Sequence, residues 1–136
     1  MNIEFPYFEN AEINSFSPLS LAYIGDAVYE VYIRSHVMNN GNMQVNKFHR
    51  EATRYVSANA QSNIIHRIMQ FLTEEEISVF KRGRNAHSYT SAKNADIVAY
   101  RHATGFEALI GYLFILKQFD RINEIVKMSI EAVENE

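Results

Sequence analysis

The sequence predicts an all-α domain, and three observations support that prediction. Apolar residues recur every three or four positions through most of the chain, the spacing that places them on one face of an α-helix. The strict alternation of apolar and polar residues that is typical of β-strands is absent. Both prolines lie before residue 19, so proline interrupts none of the later helices. With 136 residues, we expect a single domain over 1–136.

The first three helices are predicted from their start and stop signals. Ser17 and Pro18 begin the first, as a capping hydroxyl followed by proline at the first helical position. The turn-forming "NNGN" at 39–42 ends it. A second helix begins near Val45, the chain bends near Ser57, and a third helix follows. Their apolar faces carry Leu21, Ile24, Val28, Val31 and Tyr32, then Phe48, Ala52, Tyr55 and Val56, then Ile64, Ile65, Ile68 and Met69.

The second half of the chain contains one strong helix start and one long polar segment. Thr73 and Glu76 form a capping-box pattern, which predicts a short helix through Phe80. The segment "RGRNAHSYTSAKN" at 82–94 is polar and contains a glycine, so we expect an exposed loop. Two further helices are predicted, a long apolar one from about residue 95 or 98 to 117 and an amphipathic one from about 121 to 133.

Composition excludes several classes of protein. The chain has no cysteine, which rules out disulfides, thiol nucleophiles and cysteine-based metal sites. No apolar run approaches the ~20 residues of a membrane-spanning helix. The acidic N-terminus lacks the basic region of a secretory signal, so we expect a cytoplasmic protein.

The charge is unevenly distributed along the chain. The net charge is −3, yet residues 81–102 hold five basic residues against one acidic residue, which leaves the remainder strongly acidic. A local basic patch on an acidic protein is suited to binding phosphates at one site. A solvated basic face would account for this distribution equally well.

Two acidic residues lie within apolar helical segments, Asp26 in "LAYIGDAVYEV" and Glu107 in "TGFEALIGYLF". We expect these helices to be largely buried, and a buried unpaired carboxylate is costly. Because glycine inside a helix costs about 1 kcal/mol, Gly25 and Gly111 indicate a close helix crossing that would bring the two acids together. A cation held between them would be Mg²⁺ or Mn²⁺, since the ligands are oxygens. The alternative is that each acid forms a buried ion pair with Arg or Lys.

Three segments of the sequence resemble the ribonuclease III family. "YIGDAVYE" at 23–30 and "FEALIGYLF" at 106–114 are similar to the two signature helices of its catalytic domain. "FKRGRNAHS" at 80–88 is similar to the polar loop before the second signature. The likeness extends from about residue 15 to 130. The short length and "RGRNA" resemble Mini-ribonuclease III, the compact bacterial subfamily without a double-stranded-RNA-binding domain.

The resemblance implies a ribonuclease III catalytic (endonuclease) domain fold in a homodimeric helical bundle. It identifies Asp26 and Glu107 as catalytic residues and as ligands of Mg²⁺, with Mn²⁺ as a substitute. Ala22 and Thr104 stand where the larger enzymes have two further carboxylates, so water and RNA phosphate must complete the coordination shell. The implied reaction is Mg²⁺-dependent hydrolysis of double-stranded RNA to 5′-phosphate and 3′-hydroxyl ends.

The resemblance also implies a substrate and partners. The catalytic domain itself must bind double-stranded RNA through phosphates and 2′-hydroxyls. The implied substrate is the precursor of 23S (large-subunit) ribosomal RNA, presented with the help of a ribosomal protein. The alternative is a non-catalytic RNA-binding or ribosome-assembly module of the same fold. The candidate RNA-binding residues are Lys81, Arg82, Arg84, Asn85 and Lys93. A basic stripe formed by Lys47, Arg50 and Arg54 is more typical of a solvated face.

Overall fold

Two long helices cross at the centre of the protein. The structure is a computed structural model, and it describes residues 8, 12–86 and 95–136. The two long helices are α1 (Pro18–Met38) and α5 (Ala95–Ile115). Four shorter helices surround them: α2 (Val45–Val56), α3 (Ala58–Ile68), α4 (Glu74–Asn85) and α6 (Phe119–Glu134). No β-strand occurs in the described ranges, which confirms the all-α prediction.

The helix boundaries follow from local capping. Ser17 caps α1 by accepting a hydrogen bond from Ser20 N at 3.1 Å, and Pro18 occupies its first turn, as predicted. Ser57 ends α2 and caps α3 through Ala60 N at 3.1 Å, so the predicted bend is a helix boundary. Thr73 and Glu76 form the predicted capping box at the start of α4.

The predicted loop at 82–94 is wrong in its first part, because α4 continues to Asn85. The cause is packing between α4 and α5. A Cβ added at Gly83 would lie 2.8 Å from the Ala108 Cβ and 2.9 Å from the Gly105 Cα, so the two helices are in backbone-level contact there. This contact stabilises helical geometry in residues whose own preference is for a turn. Residues 87–94 lie outside the described residues.

The last two helices end close to where the sequence predicts. Helix α5 stops at Ile115 rather than Lys117, because Lys117 has a left-handed backbone with φ of 60°. Gln118 N then donates to Leu113 O at 2.9 Å and Lys117 N to Phe114 O at 3.0 Å, the two hydrogen bonds of a Schellman cap. Helix α6 starts at Phe119, two residues after Lys117 and two residues before the predicted start near Arg121.

Helix α5 is the central element of the core, since α1, α3, α4 and α6 all pack against it. The edge-to-face pair of Tyr29 and Phe106, with ring centroids 5.0 Å apart, joins α1 to α5 at full burial. Glu76 on α4 is also buried, and Arg121 on α6 donates to both its carboxylate oxygens at 2.8 Å. None of the described helices is long and apolar enough to cross a lipid bilayer.

Candidate active site

The two central helices approach each other at backbone distance, as their glycines predict. A Cβ added at Gly25 on α1 would overlap the carbonyl oxygen of Glu107 on α5. A Cβ added at Gly111 on α5 would overlap the carbonyl oxygen of Leu21 on α1. Each helix therefore presents a glycine to the backbone of the other, and no larger residue fits at either position. This crossing determines where the neighbouring acidic side chains lie.

The crossing brings the Asp26 and Glu107 carboxyl groups within hydrogen-bonding reach of each other. The expectation that Asp26 is buried is wrong, since its side chain lies on the exposed face of α1. Glu107 is half-buried beneath it. The pair thus combines one carboxylate that is open to solvent with one that is partly enclosed, an arrangement that leaves the site accessible to a large substrate.

Glu107 is in an environment that opposes its negative charge. Burial, then the hydrogen bond and charge of neighbouring Asp26, raise the pKa of the Glu107 carboxyl from 4.5 to about 8. Glu30 adds a weaker repulsion from one turn further along α1. Within the described residues, neither Asp26 nor Glu107 forms an ion pair with Lys or Arg. The alternative of two separate buried ion pairs is therefore not supported by that part of the chain.

The donor set fits a hard divalent cation. Two adjacent carboxylates with uncompensated charge would be relieved by a cation between them, and oxygen ligands favour Mg²⁺ or Mn²⁺. Among the described residues, no group of three or more His, Asp or Glu side chains could hold a metal ion. Asp26 and Glu107 would therefore supply two ligands, and water or a substrate phosphate would supply the others.

The basic end of α4 lies alongside the segment of α5 that carries Glu107. Lys81 and Arg82 are exposed there. Arg84 is half-buried, with its guanidinium 5.8 Å from the centroid of the Phe80 ring, and its Nε donates to Asn85 Oδ1 at 3.1 Å. Four of the five candidate RNA-binding residues thus occupy the last turns of a helix rather than a loop. Lys93, the fifth, lies outside the described residues.

The second basic surface is formed by α2. Lys47, Arg50 and Arg54 are exposed at helical spacing, as predicted. Arg54 forms an ion pair with Glu51 at 3.2 Å and lies over the Tyr55 ring. Part of the positive charge of this stripe is therefore neutralised on its own helix, which favours a solvated face.

Sequence reasoning missed one polar residue beside the carboxylate pair, Gln61 on α3. This residue is 2% exposed and lies close enough to Glu107 to lower the pKa of that carboxyl. A signal was present in the sequence, because Gln61 occupies the apolar stripe of α3 that includes Ile64, Ile65 and Ile68. An uncharged polar residue on a buried face needs a hydrogen-bonding partner, and that partner lies on other helices.

Comparison with known proteins finds matches over most of the chain. The family model described as "Ribonuclease III domain" matches residues 19–118. The chain is 51% identical over 128 residues to a Mini-ribonuclease 3 of Clostridium tetani, covering 93% of this chain and 85% of the relative. It is 52% identical over 123 residues to a Mini-ribonuclease 3 of Brevibacillus brevis, covering 90% of this chain and 92% of the relative.

A solved structure shares the fold. The crystal structure of a protein from Fusobacterium nucleatum superposes with a TM-score of 0.76 at 30% identity, covering 88% of this chain and 95% of that one. The family match includes both acidic residues of the helix crossing and the basic end of α4. By its sequence over most of its length and by its helical fold, the chain belongs to the ribonuclease III family.

Proposed function

We propose that this ribonuclease III-type endoribonuclease cleaves double-stranded RNA with Asp26 and Glu107 as its catalytic, metal-binding residues. The observation that carries the proposal is their juxtaposition across the α1–α5 crossing, where burial and the neighbouring Asp26 disfavour ionisation of Glu107 and a bound cation would relieve this. Asp26 is exposed and can reach an incoming phosphate. Glu107 is half-buried and anchored on the central helix.

The proposed cofactor is Mg²⁺, with Mn²⁺ as a substitute. When bound, Mg²⁺ lowers the pKa of water and neutralises charge on phosphoryl oxygens. The role of Asp26 and Glu107 is to hold the cation, and neither needs to transfer a proton. The glycine crossing beside them holds the two helix backbones in direct contact, which places the carboxylates next to each other.

Binding of the RNA is assigned to the basic end of α4 and to the adjoining segment. Lys81 and Arg82 are exposed and free to contact phosphates, with Arg84, Asn85 and Lys93 as further contacts. So few cationic contacts give weak binding, whose affinity falls further as the salt concentration rises. We therefore infer that structured RNA or an assisting protein supplies the specificity.

The proposed assembly is a homodimer with one active centre per subunit, in which each centre cleaves one strand. A two-fold axis suits a duplex substrate, because its two strands run in opposite directions. Tyr23, one turn before Asp26, is 84% exposed and is therefore available to contact a partner subunit. A partner subunit that covers Tyr23 would explain its exposure.

The proposed substrate is the precursor of 23S ribosomal RNA in the cytoplasm, where a ribosomal protein presents the site of cleavage. This proposal rests on the similarity to the Mini-ribonuclease 3 proteins. Its test compares the ends of large-subunit ribosomal RNA in cells with and without the protein. Unprocessed ends in the deletion strain support it, and mature ends in both strains exclude this substrate.

The catalytic proposal is tested by incubating purified protein with duplex RNA and Mg²⁺. Asp26→Asn and Glu107→Gln should each abolish cleavage while the circular dichroism spectrum stays unchanged. Asp120→Asn is the matched control, since Asp120 is an exposed carboxylate on α6. Full activity in the Asp26 and Glu107 variants would exclude the site. Binding without cleavage by the unaltered protein, under every divalent ion tested, would favour the non-catalytic module.

A further inference from the structure

Gln61 is a polar side chain in the core, on a face of α3 that is otherwise apolar. It lies on the buried face of α3 at 2% exposure, in the stripe where its neighbours along the helix are isoleucines. An apolar residue of similar volume would suit this position in a helix that only packs. Burial of an amide stabilises a protein only where its hydrogen-bonding groups are satisfied.

The partners of Gln61 satisfy only part of its hydrogen-bonding capacity. Its Nε2 donates to the carbonyl oxygen of Val56 at 2.9 Å. This contact also identifies the amide orientation, because an oxygen in place of Nε2 would repel the carbonyl. The Glu107 carboxyl is close enough to the Gln61 amide for that amide to lower its pKa, so the second N–H is available to Glu107. The Oε1 atom is buried and has no hydrogen-bonding partner among the described residues.

A buried acceptor without a hydrogen-bonding partner is destabilising, so its presence beside a carboxylate pair points to a ligand. A water molecule that also contacts a bound cation would satisfy Oε1, since such a water has protons to donate. The remaining amide N–H would orient the Glu107 carboxylate. In metal sites of proteins, residues that do not touch the metal commonly orient its ligands through hydrogen bonds, and Gln61 would do this for Glu107 and for a bound water.

We propose that Gln61 is a positioning residue that orients the Glu107 carboxylate and accepts a hydrogen bond from water of the cation's coordination shell. This inference rests on the proposed cation site of Asp26 and Glu107. It assigns to α3 a part in the active centre, which otherwise draws only on α1 and α5. Gln61 does not contact the RNA in this proposal and takes no part in proton transfer.

The test is Mn²⁺ binding to the RNA-free protein, measured by electron paramagnetic resonance. Gln61→Met keeps the length and volume of the side chain but removes the amide, and Gln61→Leu is a second apolar variant. We expect the Kd for Mn²⁺ to rise about 10-fold or more, the usual effect of removing such a partner. Gln70→Met is the matched control, because Gln70 is exposed just beyond α3. Its Kd should equal that of the unaltered protein.

A second readout separates positioning from a structural role. In Gln61→Met the Mg²⁺ concentration for half-maximal cleavage should rise by the same factor as the Kd. Unchanged Mn²⁺ affinity in a folded variant would overturn the proposal, since loss of stability alone does not alter the Kd of the folded protein. Failure of both apolar variants to fold would assign Gln61 to the core and overturn it as well.

The same titration distinguishes failure of this inference from failure of the cation site. Asp26→Asn and Glu107→Gln should abolish Mn²⁺ binding. If they do and the Gln61 variants bind normally, only the role of Gln61 is refuted. If they bind Mn²⁺ as well as the unaltered protein does, the cation site itself is refuted and the role of Gln61 falls with it.

Discussion

Replacing Glu107 by glutamine should stabilise the cation-free protein while it removes activity. The Glu107 carboxyl has its pKa raised by burial and by Asp26 from 4.5 to about 8. The folded protein therefore retains a proton that the unfolded chain releases once the pH exceeds 4.5. The free energy of unfolding must consequently fall as the pH rises from about 4.5 to about 8, and remain low above that range. Glu107→Gln replaces the ionisable carboxyl by a neutral amide, so the part of the pH dependence of stability that comes from Glu107 disappears.

The magnitude follows from the two pKa values. At 1.36 kcal/mol for each pKa unit, the cost of Glu107 is about 3 kcal/mol at pH 7 and about 5 kcal/mol above pH 9. Below pH 4.5 it vanishes, because Glu107 is protonated in both the folded and the unfolded chain. The neutral glutamine can also donate a hydrogen bond to the Asp26 carboxylate, which a glutamate anion cannot do.

The assay is urea denaturation in the presence of EDTA at several pH values from 5 to 9. The unfolding free energies of the unaltered protein and Glu107→Gln should differ by less than about 1 kcal/mol at pH 5 and separate further as the pH rises. Glu131→Gln is the control, since Glu131 is exposed on α6, and it should follow the unaltered protein. A Glu107→Gln variant that is less stable than the unaltered protein at pH 8, or that keeps the same pH dependence, would refute the reasoning.

Three further predictions concern packing, RNA binding and the ion pair beneath α4. Gly25→Ala places a methyl group against the backbone of α5 and should lower the free energy of unfolding by roughly 1–3 kcal/mol or more in urea melts; stability equal to that of the unaltered protein would contradict the close crossing. Lys81→Ala and Arg82→Ala should each weaken duplex RNA binding and lower its salt dependence by about one counterion, measured by filter binding from low to high salt; an unchanged salt slope would exclude these contacts. Burial alone would raise the pKa of Glu76, but hydrogen bonds from Arg121 and Thr73 outweigh it and hold the pKa below the usual value. Glu76 therefore stabilises the fold above about pH 4.5, and this stabilisation is lost as the pH falls further. Glu76→Gln should reduce the loss of stability at acidic pH in urea denaturation, and an unchanged loss would contradict this prediction.

The positions of the helices were predictable because their signals are local. Ser17 with Pro18, the boundary at Ser57, and the capping box of Thr73 with Glu76 each act within one turn of the chain, and the structure confirms all three. The end of α4 was not predictable in this way. Arg82–Asn85 have the composition of a turn, but contact with α5 through Gly83 maintains the helix. A tertiary contact thus outweighed the intrinsic preference of these residues.

The sequence by itself determined the helical fold and the proximity of the two acids, since Gly25 and Gly111 permit an approach that larger residues would prevent. Only the tertiary structure decided how each acid is solvated. Asp26 is exposed and Glu107 is half-buried, although both stand in equally apolar segments. The role of Gln61 also required the packed structure, because its partners come from other parts of the chain. The burial of a side chain depends on which faces of the helices pack together. Contacts between segments far apart in the chain determine that packing, and the spacing of residues within one segment does not.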